Sequence, residues 1–281
     1  MEAVCKSPKP DICAAAKEPQ ALDKRHIFVG GLHRSGTSLT HRLIRAHPAV
    51  SGFAGTDVPE DEGQHLQTVY PPASLYGGPG RFAFDPRSHL TQESPLVSVA
   101  TRQRLLAQWA PYWDNSKGLF VEKSPPNLIR ARFLQALFPE AMFLFVIRHP
   151  VAVSLATKAW TGQSLEELIR HWIVAHEIFL DDLNGLTRWA WIRYEDLTTR
   201  PESTLADLFD YAGLMRIQPS ESIAGENNAR YLDSREFDSF RGSDMTDSSI
   251  FGHFGYRLQR PYFDLAPGSG RLRSNKGRAE G

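Results

Sequence analysis

Apolar positions along this chain follow two rhythms that take turns. Short, nearly continuous apolar runs occur at His26–Gly30, Gly118–Glu122, Met142–Ile147 and Trp189–Arg193. Each is too short for a buried helix and rich in β-branched or aromatic residues, so each reads as a strand. Helical spacing fills the intervals. It predicts helices from Leu39 to about His47, where Pro48 stops the chain, over Glu60–Val69 with acids in its first turn, and over Pro95–Trp113. Further helices are expected at Asn127–Phe138, with Leu128, Phe133, Leu134 and Leu137 on one face, at Val151–Lys158, at Ser164–Leu183, and at Pro201–Ala212. Pro71–Gln92 reads as a loop dense in proline, glycine and aromatic residues. Residues 219–262 carry no clear period. Strands alternating with helices predict an α/β fold of three layers, a central parallel sheet flanked by helices on both faces.

Composition narrows the functional classes. In 281 residues, 41% are hydrophobic, enough for one sizeable core. The expected organisation is a disordered segment at 1–25, a single domain at 26–265, and a basic, glycine-rich disordered tail at 266–281. Lys plus Arg equals Asp plus Glu at 32 each, so no global basic bias points to nucleic acid as a partner. The two cysteines, Cys5 and Cys13, fall in the N-terminal segment without disulfide or zinc spacing and read as incidental thiols. No run approaches the ~20 apolar residues that span a bilayer, and no secretory leader pattern opens the chain. The expectation is a cytoplasmic protein without a transmembrane segment. Oligomeric state is not legible.

Chemistry concentrates where strands end. After the first strand comes Gly30-Gly31-Leu32-His33-Arg34-Ser35-Gly36-Thr37-Ser38, leading into a helix. A strand, a glycine loop and a helix start make an anion site: unpaired N–H groups point outward, the helix dipole is positive there, and glycine allows close approach. The loop is P-loop-like in its spacing, with Gly31, four residues, Gly36, then a hydroxyl at Ser38. Thr37 stands where a nucleotide triphosphatase carries lysine, and Arg34 sits inside the loop instead. After the central strand comes Arg148-His149-Pro150, with Ser154 in the next helix. A guanidinium and a hydroxyl there form a second candidate anion clamp. Glu122-Lys123-Ser124-Pro125 ends another strand, with Lys123 able to point into a cleft. Ligands of such sheets bind beyond these carboxyl ends.

These motifs together resemble the sulfotransferases that use 3'-phosphoadenosine-5'-phosphosulfate (PAPS), in particular the bacterial and tyrosylprotein-like branch. Arg34-Ser35-Gly36-Thr37-Ser38 is similar to the family's 5'-phosphosulfate loop, and Arg148 with Ser154 to its 3'-phosphate motif. Glu122-Lys123-Ser124-Pro125 and Tyr194-Glu195-Asp196-Leu197 look like further landmarks, and the likeness covers roughly 26–212. The resemblance implies sulfuryl transfer to a hydroxyl or amine, leaving adenosine 3',5'-bisphosphate, with no metal required. It implies that Arg34 and the loop hold the 5' end, Lys123 stabilises the transferring group, Arg148 and Ser154 bind the 3'-phosphate, and Tyr194 lies beside the nucleotide.

The match breaks at the general base. The tyrosylprotein-like branch has a glutamate downstream of a His-Pro landmark, here His47-Pro48, but that count reaches Gly55-Thr56. Asp57, Glu60, Asp61, Glu62 and His65 are near. Glu60 and Asp61 suit a helix start on electrostatic grounds alone. Glu62 is the preferred base, one helical turn before His65, and His65 is the runner-up because its pKa suits proton transfer near neutrality. His33, inside the loop, is a further candidate base, but it reads first as a satisfied structural histidine. The acceptor, a small molecule or glycan, is expected among residues 70–95 and Trp160. Two other readings stay open: a P-loop kinase or NTPase using ATP and Mg²⁺, against which Thr37 and Arg148 stand, and a nucleotide-binding sensor that has lost its base.

Overall fold

The computed structural model describes residues 24–219, 221–223, 228–240, 248–269 and 272–275. Cys5, Cys13, nearly all of the N-terminal segment read as disordered, and 276–281 of the tail lie outside these residues.

Six strands form one sheet. They are β1 (Arg25–Gly31), β2 (Val50–Gly52), β3 (Leu119–Lys123), β4 (Met142–Ile147), β5 (Trp189–Arg193) and β6 (Arg273–Ser274), in the order β2-β3-β1-β4-β5-β6. The first five are parallel, and β6 pairs antiparallel with β5 through Ala190 and Trp191. The sheet is therefore mixed rather than purely parallel, and its extra edge strand falls within the segment read as a disordered tail. The register aligns the strand ends that matter. Val29 lies opposite Lys123, Gly31 opposite Val146, and Ile147 opposite Arg193. The loops after β1, β3, β4 and β5 consequently emerge side by side.

Period-two alternation sorts each strand between two cores. Phe28, Phe120, Phe143 and Phe145 face one side, against Trp109, Phe133, Trp172 and Phe179. Ile27, Val29, Val121, Leu144 and Val146 face the other, against Leu43, Ile44, Leu205 and Phe209. The first side is covered by α2 (Val99–Trp109), α3 (Ala131–Leu137) and α5 (Leu165–Asp182), and the second by α1 (Thr37–Arg45) and α7 (Pro201–Ala212). This is the three-layer α/β arrangement expected from the pattern. The aromatic side includes stacked rings, with Trp113 4.4 Å from Phe120 and 5.0 Å from Phe53.

Several element boundaries differ from the sequence expectation, each for a local reason. Helix α2 begins at Val99 because the Ser98 hydroxyl caps it, accepting from the Thr101 N–H at 3.1 Å. Asn127–Phe138 is not one helix. The Pro125-Pro126 pair sets a 3₁₀ turn through Ile129, Arg130 breaks it at φ −127°, and α3 follows. Glu60–Val69 is not an α-helix at all. Two 3₁₀ turns, Pro59–Asp61 and Gly63–His65, flank an extended Glu62, with Glu60 and Asp61 at φ 53° and 51°. Two of the bonds that hold this shape come from outside the segment: the Lys123 ammonium donates to the Glu60 carbonyl at 2.9 Å, and the Asp61 carboxylate accepts from the Thr56 N–H at 2.7 Å. The 70–92 loop is ordered into short 3₁₀ turns and buries Tyr70, Ala73, Phe82 and Ala83 in the aromatic core.

Phe28 is wholly buried in that core. Phe28→Ala is expected to cost about 3–5 kcal/mol of folding stability. The exposed Leu75→Ala should stay within about 0.5 kcal/mol. Equilibrium denaturation of both variants checks the contrast.

Candidate active site

A cleft of about 400 Å³ opens over the aligned strand ends, lined by Arg34, Gly36, Thr37, Ser38, Glu60, Glu62, Arg148, Trp160 and Tyr194 among others. The β1 loop forms one wall. Gly36 caps α1 with φ 105°, and a Cβ there would come within 2.5 Å of the Tyr194 ring. Glycine is thus required both by the backbone and by the close-packed tyrosine. Arg34 is also left-handed, at φ 69°, a strained conformation for a non-glycine residue. Its exposed guanidinium lies over the Trp160 ring at 4.5 Å. Ser35 is buried, and its hydroxyl has no hydrogen-bond partner among the described residues. The Ser38 hydroxyl donates to Glu60 at 3.1 Å.

Arg148 forms the facing wall. It is largely buried at the start of α4 (Pro150–Thr161), directly after β4. One guanidinium nitrogen, Nη1, donates to the Arg34 carbonyl at 2.8 Å, and Nε donates to Asn228 Oδ1 at 3.0 Å. The third, Nη2, is buried with no partner among the described residues. The guanidinium sits 4.4 Å from the Tyr194 ring and 5.6 Å from the Tyr231 ring. Burial pulls its pKa below the usual arginine value, partly offset by Tyr194 and Glu195. A buried cation with an unsatisfied donor edge, beside strained Arg34 and the start of a nine-residue helix, is an arrangement made for anions.

The cleft floor carries the acid–base groups. Glu62 is buried, and its Oε1 accepts from Lys123 Nζ at 3.1 Å. Its Oε2 accepts from Gln64 Nε2 at 2.5 Å and lies 3.8 Å from His65 Nε2. Lys123 is fully buried behind Glu62 rather than lining the cleft itself. Beneath this pair, Glu122 accepts from the Ser124 hydroxyl and from Asn127 Nδ2, both at 2.6 Å, and Ser124 Oγ accepts from the Gln64 N–H. Burial raises the Glu122 pKa from 4.5 to about 7 against those two hydrogen bonds.

The structure gathers Arg34, Gly36, Thr37, Ser38, Glu62, Arg148 and Tyr194 around one cleft, with Ser35 buried within the β1 loop and Lys123 and His65 contacting Glu62. It does not bring Ser154 there. The Ser154 hydroxyl is buried in a separate small void with His33, Thr157 and His171, and has no partner among the described residues. His33 departs from the satisfied histidine expected: its Nδ1 also has no partner among the described residues, and burial, then the charges of Lys123 and His65, lower its pKa to about 3. Among the alternative bases, Asp61 holds the 55–56 turn through the Thr56 hydroxyl and the Thr56 and Gly55 N–H groups, and Asp57 is exposed outside the cleft. These bonds outweigh the upward push of partial burial and keep the Asp61 carboxyl below the usual carboxylate range. Residues 70–95 do not reach the cleft. Tyr76, Arg81, Phe84 and Arg87 line a second depression with Gln163 and Glu167.

Sequence reasoning missed Asn228, Tyr231 and Gln64. No motif marks the first two, which lie in the aperiodic stretch; the third was hidden by the helical reading of 60–69. Among the described residues no cluster of three His, Cys, Asp or Glu side chains is positioned to hold a metal ion, and no helix is long and apolar enough to cross a membrane.

A model described as "Sulfotransferase family" matches residues 26–218. An uncharacterised protein of Aquifex aeolicus is 23% identical over 232 residues, covering 73% of this chain and 28% of its own length. Protein-tyrosine sulfotransferase 2 of Gallus gallus is 24% identical over 199 residues, covering 67% and 51% respectively. The chain therefore spans about half or less of the curated relatives it matches. Among solved structures, a sulfotransferase from Alicyclobacillus acidocaldarius aligns at 16% identity with a TM-score of 0.45, over 73% of this chain and 87% of that one.

The raised pKa of Glu122 predicts a pH dependence of stability. Between 4.5 and about 7 the folded state keeps this proton while the unfolded chain has lost it, so stability falls as pH rises through that window. Glu122→Gln removes the titration. The melting temperature of wild type relative to this variant is expected to drop across the window and level off above it. A constant difference would show that folding leaves the ionisation of Glu122 unchanged.

Proposed function

Because the family model covers most of its length, this chain belongs to the sulfotransferase family, and we propose that it transfers a sulfuryl group from PAPS to a hydroxyl of a small-molecule or glycan acceptor. The observation that carries this reading is the pairing of Arg34 and Arg148 on one cleft. They are tied together through the Arg34 carbonyl, and the unused edge of Arg148 is buried beside the glycine loop.

In this reading the loop N–H groups and Arg34 hold the 5'-phosphosulfate, where negative charge grows on the leaving phosphate oxygen. The unpartnered Nη2 of Arg148 meets the 3'-phosphate, and the Tyr194 ring, packed between Gly36 and Arg148, supports the nucleotide side. Ser154, which lines a separate small void with His33 and Thr157, is given no role in that contact. Glu62 accepts the proton of the acceptor hydroxyl as the new oxygen–sulfur bond forms and the bond from sulfur to the phosphate oxygen breaks. Adenosine 3',5'-bisphosphate leaves. Lys123, behind Glu62, balances the charge of that carboxylate, and His65, at the edge of the floor, passes the abstracted proton onward to solvent.

The position of Glu62 favours an enzyme over a base-free sensor, because a carboxylate absent at Gly55 is present on the cleft floor at Glu62, paired with Lys123. Thr37 and Arg148 disfavour a magnesium-dependent kinase, and the acceptor side is open beside Trp160, which is 54% exposed.

Two measurements test the proposal. Adenosine 3',5'-bisphosphate is expected to raise the melting temperature more than ADP with Mg²⁺, and the reverse order would defeat the donor assignment. With labelled donor and a panel of phenols, sugars and lipid alcohols, Glu62→Gln is expected to lower kcat by about 10²–10⁴-fold while leaving affinity for the bisphosphate intact. Full activity in that variant removes Glu62 from the mechanism.

A further inference from the structure

A buried carboxylate lies close to Arg148, yet the two do not form an ion pair. Glu195 is completely buried in α6 (Tyr194–Thr199), immediately after β5. It accepts from the His149 N–H at 3.0 Å, the Tyr256 hydroxyl at 2.7 Å, and Asn228 Nδ2 at 2.5 Å. Asn228 is itself fully buried, and its other amide atom, Oδ1, accepts from Arg148 Nε. The orientation of this amide is dictated by chemistry. A carboxylate only accepts and a guanidinium only donates, so the NH₂ must face Glu195 and the oxygen must face Arg148.

This one-amide spacing has a consequence for the cation. A direct bidentate Arg–Glu contact would consume two donor nitrogens and neutralise the guanidinium. With Asn228 between them, the negative charge of Glu195 still supports the buried cation through a polarised amide, while only Nε is used. Nη1 is committed to the Arg34 carbonyl, so Nη2 is the edge left over, and it is the one without a partner among the described residues. We propose that Asn228 is a positioning residue that gives the donor site its demand for a 3'-phosphate: it holds Glu195 off Arg148 and fixes the guanidinium with its Nη2 edge available. The inference rests on the donor reading above and adds to it the residue that sets nucleotide selectivity.

The mechanism separates the two ends of the nucleotide. The 5' end is held by the β1 loop, which Asn228 does not contact. Loss of Asn228 should therefore weaken binding of adenosine 3',5'-bisphosphate and leave 5'-AMP almost untouched. A general loosening of the fold would weaken both.

The test is calorimetric titration of both nucleotides into the full-length protein and two variants. In Asn228→Ala, the Nε and Nη2 edge of Arg148 is free to close on Glu195 while Nη1 stays on the Arg34 carbonyl. In the isosteric Asn228→Asp, the contact with Nε becomes an ion pair, and an acceptor oxygen replaces the amide that donated to Glu195, so the neutral spacer is lost. Both are expected to lose affinity for the bisphosphate by roughly tenfold or more, the scale of a hydrogen bond to a charged group, with AMP affinity changed less than about twofold. In steady-state kinetics the donor KM should rise with kcat preserved at saturating donor. An unchanged ratio of the two affinities, an equal loss for both nucleotides, or a fall in kcat without a rise in donor KM overturns the proposal. If neither variant folds, Tyr256→Phe loosens Glu195 more gently, and an unchanged affinity ratio there overturns it too. A wild type that binds AMP as tightly as the bisphosphate is a separate failure: it refutes the donor reading itself, whatever the variants do.

Discussion

Arg148 is the constraint on which the site depends. A guanidinium taken out of water demands hydrogen bonds at every edge, and this one finds them on two sides and not the third. Its bond to the Arg34 carbonyl joins the loops after β1 and β4, which the parallel register has already placed side by side. The left-handed backbone at Arg34 is held in part by that bond. The geometry of the glycine loop and the orientation of the facing arginine are thus one structural unit, stacked against Tyr194 and buttressed from behind by Asn228 and Glu195.

The floor obeys a similar logic with opposite charge. Lys123 and Glu62 are both buried, and a pair in that setting must be well hydrogen-bonded to be tolerated. Lys123 meets this by donating also to the Glu60 carbonyl, and Glu62 by accepting from Gln64. The non-helical path of residues 59–65 follows directly, since the carbonyl that a helix would have used internally is turned toward the ammonium. One layer down, Glu122 has two donors and no cation in direct contact among the described residues, and its carboxyl is pushed toward neutrality.

The strands, their alternation between two cores and the phosphate-type loops were legible because they rest on short-range rules: period-two apolar runs, glycine at a turn, a helix following at once. The parallel order and the neighbouring of the 34 and 148 loops follow from those rules plus packing. What escaped the sequence depends on contacts far apart along the chain. Glu62 was legible as the preferred carboxylate among five nearby candidates, but its contact with Lys123, which reaches it from β3, was not. Asn228 belongs to a stretch without periodicity, and its importance exists only because Arg148 and Glu195 approach it from two different strand ends. Ser154 shows the converse: its spacing from Arg148 matches a familiar pattern, but it lines a small void with His33 and Thr157 and is not among the residues lining the cleft. The second depression near Tyr76 shows that aromatic richness at 70–95 spoke of core packing and surface relief, not of the cleft.

The two-residue strand at Arg273–Ser274 has an effect out of proportion to its length. By pairing with Ala190 and Trp191 it occupies main-chain groups on the open side of β5, which would otherwise offer a ready template to another polypeptide. The opposite margin is only the three residues of β2. Among the described residues the sheet therefore ends on both flanks in segments too brief to offer a neighbouring chain a long pairing edge.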